Sequence, residues 1–296
     1  MPLDYNYMQT DRFNILSKEQ LLEACPAIFQ KSKHHDLSER YEHLDSETAV
    51  DIMIDNGFFP MYAREQKTRD ASQRAFCRHL VGFGNPDLID DTAENIPLMT
   101  LYNSHNGRAS FQLIPSLNRK VCNNGLMVGE SFGKQRFMHR QNVKNAFEDI
   151  ISNAVEMLKS VAENVEHMRE IKLSNDDCLE FAYNAASLRW EICDESEFKS
   201  GDLSDNVYAT LQTTVPEMLK ERRSADKGND LWRVFNKTQE SLIRGGVPLQ
   251  GLNNENCCAV CNHVTPIKRK ARPINALDKQ VKINRNLWDM AEEACA

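Results

Sequence analysis

The chain has 296 residues, 41% of them hydrophobic and 27% charged. These are ordinary globular values, which exclude wholesale disorder and leave room for one large domain or two small ones. Its formal net charge of -7 argues against a uniformly basic nucleic-acid coat. No apolar run approaches the roughly 18 residues of a membrane span, so no membrane partner is expected.

In chain order, Ser17-Lys18-Glu19-Gln20 reads as a capping box that starts a short helix, disturbed at Pro26. Lys31–Arg40 is polar and loop-like. Ser46 is the expected N-cap of a helix Glu47–Asn56 that stops at Gly57. Strands are expected over Phe58–Lys67 and Arg74–Phe83. Pro97–Asn103 and Ala109–Ile114 pair as a hairpin around Asn106-Gly107. Ser116–Asn124 reads as a helical turn, and Leu126–Val128 and Gln135–His139 as a last hairpin.

The period then changes. Val143, Phe147, Ile150, Ile151, Ala154, Leu158, Val161, Val165 and Met168 recur at helical spacing, predicting a long amphipathic helix from about Asn142 to Ile171. Ser174 caps the next helix. Glu191–Asp205 is an acidic loop. Helices follow over Tyr208–Arg222 and over Asp230–Arg244, the latter stopped by Gly245-Gly246, and a short helix over Asn284–Ala294 closes the chain. Strands first and helices after predict an α+β fold. An N-terminal mixed β-sheet with flanking helices (1–141) would be followed by a C-terminal helical part (142–296), the two forming one compact unit.

Charge is segregated along the chain. Leu101–Val143 carries Arg108, Arg119, Lys120, Lys134, Arg136 and Arg140 against the single acid Glu130. Glu148–Glu221 is strongly acidic, with 17 acidic and 6 basic residues; Arg222–Arg285 reverses this, with 13 basic and 5 acidic. Such blocks suggest surfaces with different partners. Nine cysteines, six of them scattered, with Asp4 and Asp11 in place of a leader's apolar core, suggest a reduced, cytoplasmic protein without structural disulfides.

Four segments carry specific motifs: LYNSHNGRASFQLIPSLNRKVCNNGLMVGESFG at Leu101–Gly133, ERYEHLDS at Glu39–Ser46, NDLWRVFNKTQESLIRGGV at Asn229–Val247 and INRNLWDMAEE at Ile283–Glu293. With these segments the chain resembles the YfjQ–YafZ–YubP family of phage, prophage and plasmid proteins, catalogued as domain of unknown function 932. The resemblance implies an accessory protein of a mobile genetic element, of a kind found among antirestriction and DNA-metabolism genes. It carries over no catalytic residue. Asn254–Thr265, NENCCAVCNHVT, departs from the family pattern, so a metal site there would belong to this chain alone.

Four candidate sites follow. Arg108, Arg119, Lys120, Lys134, Arg136 and Arg140 could line a groove for phosphates, with Tyr102, Phe111, Phe132 or Phe137 for base stacking; the plainer assignment is a solvated face. Cys122 with His105 or His139 would make a nucleophile and its base. More simply, Asn103, Asn106, Asn123 and Asn124 hold turns and Cys122 is a small core residue. Cys257, Cys258, Cys261 and His263 include one zinc-knuckle spacing, yet a closed site needs four ligands and no second Cys-x-x-Cys exists. Asp194–Asp205 could engage a basic partner or be a solvated loop. Trp190, Trp232 and Trp288 are expected in the core.

The function expected is that of a non-enzymatic phage, prophage or plasmid protein that binds nucleic acid, single-stranded DNA foremost, through the basic β region. The alternatives are an anti-defence or host-takeover protein acting on a host protein, and a Cys-dependent enzyme. No cofactor is expected apart from zinc at the cysteine cluster. Nucleic acid, a host protein and a second copy of the chain are the partners left open.

Overall fold

A computed structural model describes residues 15–39, 43, 45–90, 92–120, 125–127, 135–137, 143–190, 210–249 and 270–295. The chain divides into two compact units, Met1–Ala162 and Glu163–Ala296. The α+β order expected from the sequence is present.

In the first unit, helix α1 (Lys18–Ala24) begins at the expected capping box, with Ser17 Oγ accepting from the Gln20 amide and Gln20 Oε1 from that of Ser17. A 3-10 turn, Pro26–Phe29, follows. Helix α2 (Ser46–Asp55) starts one residue earlier than expected because Asp45, not Ser46, is its cap: the Asp45 carboxylate accepts from the Glu47 amide at 3.0 Å. Ser46 is thereby left to turn its hydroxyl inward. Gly57, at φ +79°, ends the helix as expected.

The strands are β1 (Phe59–Glu65), β2 (His79–Gly84), β3 (Asn95–Asn103), β4 (Phe111–Arg119), β5 (Gly125–Met127) and β6 (Gln135–Phe137). They run in the order β1-β2-β3-β4-β5, with β6 also on β4. The sheet expected as mixed is antiparallel in every described pairing.

Three local readings are corrected. Arg74–Phe83 is not one strand: Asp70 caps a 3-10 helix over Ala71–Phe76, and β2 starts only at His79. Ser116–Asn124 is not a helical turn as far as Arg119, since β4 continues to pair with β3 down to Asn95↔Arg119. Here cross-strand pairing overrides local propensity. Among the described residues, the segments expected as a terminal hairpin do not pair with each other. β5 lies along Ser116–Asn118 and β6 along Phe111–Leu113, so two three-residue strands share the long free edge of β4.

One sheet face carries Val81, Phe83, Met99, Leu101, Phe111 and Leu113, and the register Val81↔Leu101↔Leu113 lines them up across three strands. Leu21, Ile28, Val50, Met53, Ile151, Ala154 and Leu158 join them in one core, so α1, α2 and the first part of α3 (Val143–Glu170) cover that face. The period-2 strands and the period-3.6 helices bury their apolar sets against one another. On the other face Tyr62 lies over Gly82, where an added Cβ would come within 1.9 Å of the ring. Its hydroxyl meets Thr100 Oγ1 at 3.0 Å, and Thr100 meets Ser116 Oγ at 2.7 Å.

In the second unit the described α-helices are the end of α3, then α4 (Asn175–Ser187, capped by Ser174), α5 (Val215–Met218), α6 (Leu231–Arg244) and α7 (Leu277–Glu293). The helix expected over Tyr208–Arg222 is shorter, a π-type turn at Thr210–Thr214 running into α5. The closing helix starts at Leu277, well before Asn284; its first turns bury Gln280 and Val281 and so extend the inward stripe.

Helix α6 is buried almost all round. Trp232 stacks on Phe235 (5.5 Å between ring centroids) and Trp288 meets Phe235 edge-on (6.0 Å). The buried Glu240 takes a two-pronged bond from Arg223 at 2.6 and 2.8 Å, and Gln239 donates to Asn284 Oδ1 at 2.8 Å. Gly245, at φ +71°, stops the helix as expected, and a Cβ there would lie 2.5 Å from the Ala271 carbonyl oxygen. Trp232 and Trp288 are core as expected; Trp190 is half-buried.

Candidate functional site

A group of buried polar residues of the first unit gathers at one end of the sheet. The strand register there runs Glu65↔His79 and His79↔Asn103, then Tyr102↔Gln112 and Gln112↔Arg136. Loops from three parts of the chain close over this end. The His34 amide donates to the His105 carbonyl at 2.9 Å, and the His105 amide to the Phe76 carbonyl at 3.1 Å. Gly107, at φ +71°, lets the NSHNG turn pass against Leu37. Two of the specific motifs, HLDS and NSHNG, thus meet in space, although sequence spacing gave no sign of it.

At the centre lie Ser46, His79 and Asn103, all fully buried. The bond directions fix their protonation. Cys77 O can only accept, so His79 Nδ1, 3.1 Å away, carries the proton. Its Nε2 then accepts from Ser46 Oγ at 2.8 Å, and Ser46 Oγ accepts from Asn103 Nδ2 at 3.0 Å. Burial pushes His79 down to about 4, so the ring is neutral.

His43 and His105 are fixed by carbonyls in the same way: His43 Nε2 donates to Gln30 O and His105 Nε2 to Ala27 O, each at 2.9 Å. Their rings lie 4.5 Å apart, and His105 lies 5.1 Å from His79. Desolvation also lowers the pKa of His43, whose Nδ1 has no hydrogen-bond partner among the described residues. Ser46 has the basic neighbour a nucleophilic serine needs, but no substrate reaches a fully enclosed hydroxyl. The network holds α2 to the ends of β2 and β3.

The thiols nearby are inert. Burial raises Cys25 well above the ordinary thiol value and Cys77 to about 11, so neither supplies a thiolate. Cys122, expected as an alternative nucleophile, lies outside the described residues, as do Cys257, Cys258, Cys261 and His263, and the acidic run Asp194–Asp205.

The expected basic residues fall in different places. Arg108 is exposed on the NSHNG turn. Arg136 pairs through its backbone with Gln112 near the same end. Arg119 and Lys120 sit at the opposite end of β4, nine residues long or about 27 Å at ~3.4 Å per residue. Arg119 is only 4% exposed and ion-paired to Glu94. The exposed Lys120 reaches the Asp90 carbonyl at 2.9 Å. Lys134 and Arg140 lie outside the described residues. The six therefore do not form one cluster.

Other cations, not singled out from the sequence, lie at the same end of the sheet as Arg108. Arg78 Nε donates to the Arg108 carbonyl at 3.1 Å. Lys67 and Arg69 are exposed just beyond the end of β1, with Arg64 half-buried on that strand and Arg74 exposed and ion-paired to Glu65 at 2.8 Å. Their sequence separation hid them; only the β1-β2 register brings them together.

The site residues and the fold now stand beside known proteins. Residues 33–288 match the family described as "Domain of unknown function (DUF932)". Two relatives are the UPF0380 proteins YfjQ and YafZ of Escherichia coli (strain K12). Each is 31% identical over 289 residues, covering 97% of this chain and 93% of the relative. The chain belongs to this family, as its motifs led us to expect. No solved structure matches it. Among the described residues, no helix is long and apolar enough to cross a membrane.

Proposed function

We propose that the chain is a non-enzymatic, cytoplasmic accessory protein of a phage, prophage or plasmid that binds nucleic acid, single strands foremost, through the basic end of its sheet. The observation that carries this reading is the Arg78–Arg108 contact, which sets two cations from distant segments on one rim. Lys67 and Arg69 are exposed just past the same end of the sheet, where the backbone of Arg136 pairs with Gln112. Cations held by a rigid sheet end can neutralise successive phosphates and release counterions. Arg119, buried and paired, has no part in this surface, and Lys120 stands exposed at the other end of β4. The buried histidine network beneath the rim serves as its rigid floor.

The test is fluorescence anisotropy of labelled single- and double-stranded DNA at about 50 and about 200 mM salt. Binding that weakens steeply with salt and prefers single strands supports the reading. No binding at the lower salt overturns it and moves the weight to a host-protein partner.

A further inference from the structure

Beside the basic rim, the loop after the Pro26–Phe29 turn places His34, His35 and Asp36 in a group whose ligand atoms lie within 4.8 Å of one another. His34 is 3% exposed, while His35 and Asp36 are open to solvent. We propose that these three residues bind a divalent first-row transition-metal ion such as Zn²⁺ or Co²⁺, through His34 Nδ1, His35 Nε2 and the Asp36 carboxylate.

The spacings fit an ion. His34 Nδ1 lies 3.4 Å from Asp36 Oδ2, and His35 Nε2 lies 3.2 Å from Asp36 Oδ1. Donors about 2.0–2.1 Å from a shared tetrahedral ion stand roughly 3.4 Å apart. Each imidazole therefore stands at about that spacing from one oxygen of the Asp36 carboxylate, His34 from Oδ2 and His35 from Oδ1. The remaining adjustment falls on His35 and Asp36, whose exposed side chains can move.

The buried member is held by neighbouring segments. The Asp36 backbone N–H donates to His34 Nδ1 at 3.3 Å, so Nδ1 bears the lone pair and Nε2 the proton, and an ion at Nδ1 would take the place of that hydrogen bond. The Gln73 side-chain amide stands 2.7 Å from that Nε2. With the proton on Nε2, the amide atom facing it is the oxygen, an orientation that coordinates alone do not distinguish from its flip. Gln73 thus fixes the tautomer and aim of His34, the role outer partners play for metal-bound imidazoles. Phe76 closes the ring's other side edge-on at 5.0 Å. Both Gln73 and Phe76 come from the Ala71–Phe76 3-10 helix, so the support is built by a separate segment.

Two imidazoles and one carboxylate are a borderline donor set that suits zinc or cobalt better than magnesium or calcium. Three protein ligands leave a position open for water or for a ligand oxygen, as in reactive rather than closed structural sites. The site stands independently of the nucleic-acid reading and is tested without nucleic acid.

The test is titration of the full chain with Co²⁺, followed by visible absorption, in a C257S/C258S/C261S background that removes the cysteine cluster. We expect saturable bands of nitrogen- and oxygen-ligated cobalt, with affinity lowered at least about tenfold by H35A and by D36N and about tenfold by Q73L. Far-ultraviolet circular dichroism checks folding; His35 and Asp36 are exposed, so these two variants are expected to keep the fold. Absence of bands in the background lacking the cysteine cluster overturns the proposal. So does cobalt affinity unchanged by both H35A and D36N.

Discussion

Ser46 and His79, 33 residues apart, meet at 2.8 Å in the interior of the first unit, and Asn103 closes on the same hydroxyl at 3.0 Å. One oxygen therefore ties the start of α2 to β2 and β3. Ser46→Ala leaves His79 Nε2 and Asn103 Nδ2 without this partner in a buried place. The expected loss is about 1–3 kcal/mol of stability, read as a lower urea midpoint with an unchanged m-value. An unchanged midpoint would show that the network adds nothing to stability.

Stability should also fall in mild acid. His79 titrates near 4 when folded, against an ordinary value of 6.5. Between these values the unfolded chain binds the proton and the folded chain does not, so stability falls as pH drops from 6.5 to 4. It levels below that and is fully present above 6.5. The full span corresponds to about 3 kcal/mol at ~1.4 kcal/mol per pH unit. In chemical denaturation from pH 7 to pH 4, His79→Gln should flatten this part of the profile; an identical slope in the variant would contradict the assignment.

Gly82 exists for Tyr62. A methyl at Gly82 would penetrate the ring, so Gly82→Ala should cost about 1–3 kcal/mol through overpacking. A lower melting temperature would show this cost. Tyr62→Phe keeps the ring and loses the Thr100 bond, so it should cost less, about 1 kcal/mol. The reverse order would mean that the hydroxyl ladder, not the ring, sets the fit.

Arg119 and Lys120 are neighbours with opposite fates. Arg119→Ala leaves the half-buried Glu94 without its guanidinium, and a loss of about 1–3 kcal/mol is expected, below that of a fully buried pair. Lys120→Ala, on an exposed side chain, should stay within about 0.5 kcal/mol. Parallel urea unfolding of the two variants checks this, and equal losses would refute the placement of Arg119 inside.

What the sequence made legible is the part governed by local rules. The Ser17 and Ser174 caps, the Gly57 and Gly245 stops and the long stripe of α3 all appear because caps, turns and helical period are encoded within a few residues. The long-range part was hidden. Ser46 looked like a cap until Asp45 took that role. Arg119 looked like a surface cation because nothing local announced Glu94, 25 residues away. Arg78 joined the rim only through strand register. The His34-His35-Asp36 doublet and carboxylate stood in plain view, but their polar surroundings read as an ordinary loop.

The most direct test of the account compares the two ends of β4 in one binding experiment. R69E/R108E reverses two exposed cations of the proposed rim, and K120E reverses one at the far end. With single-stranded DNA the salt dependence has a log–log slope of about 0.7 per phosphate neutralised. The account predicts that R69E/R108E lowers the slope by about 1.4 and weakens affinity at low salt at least about tenfold, while K120E matches the wild type. Equal effects at both ends, or DNA binding indifferent to R69E/R108E, would contradict it.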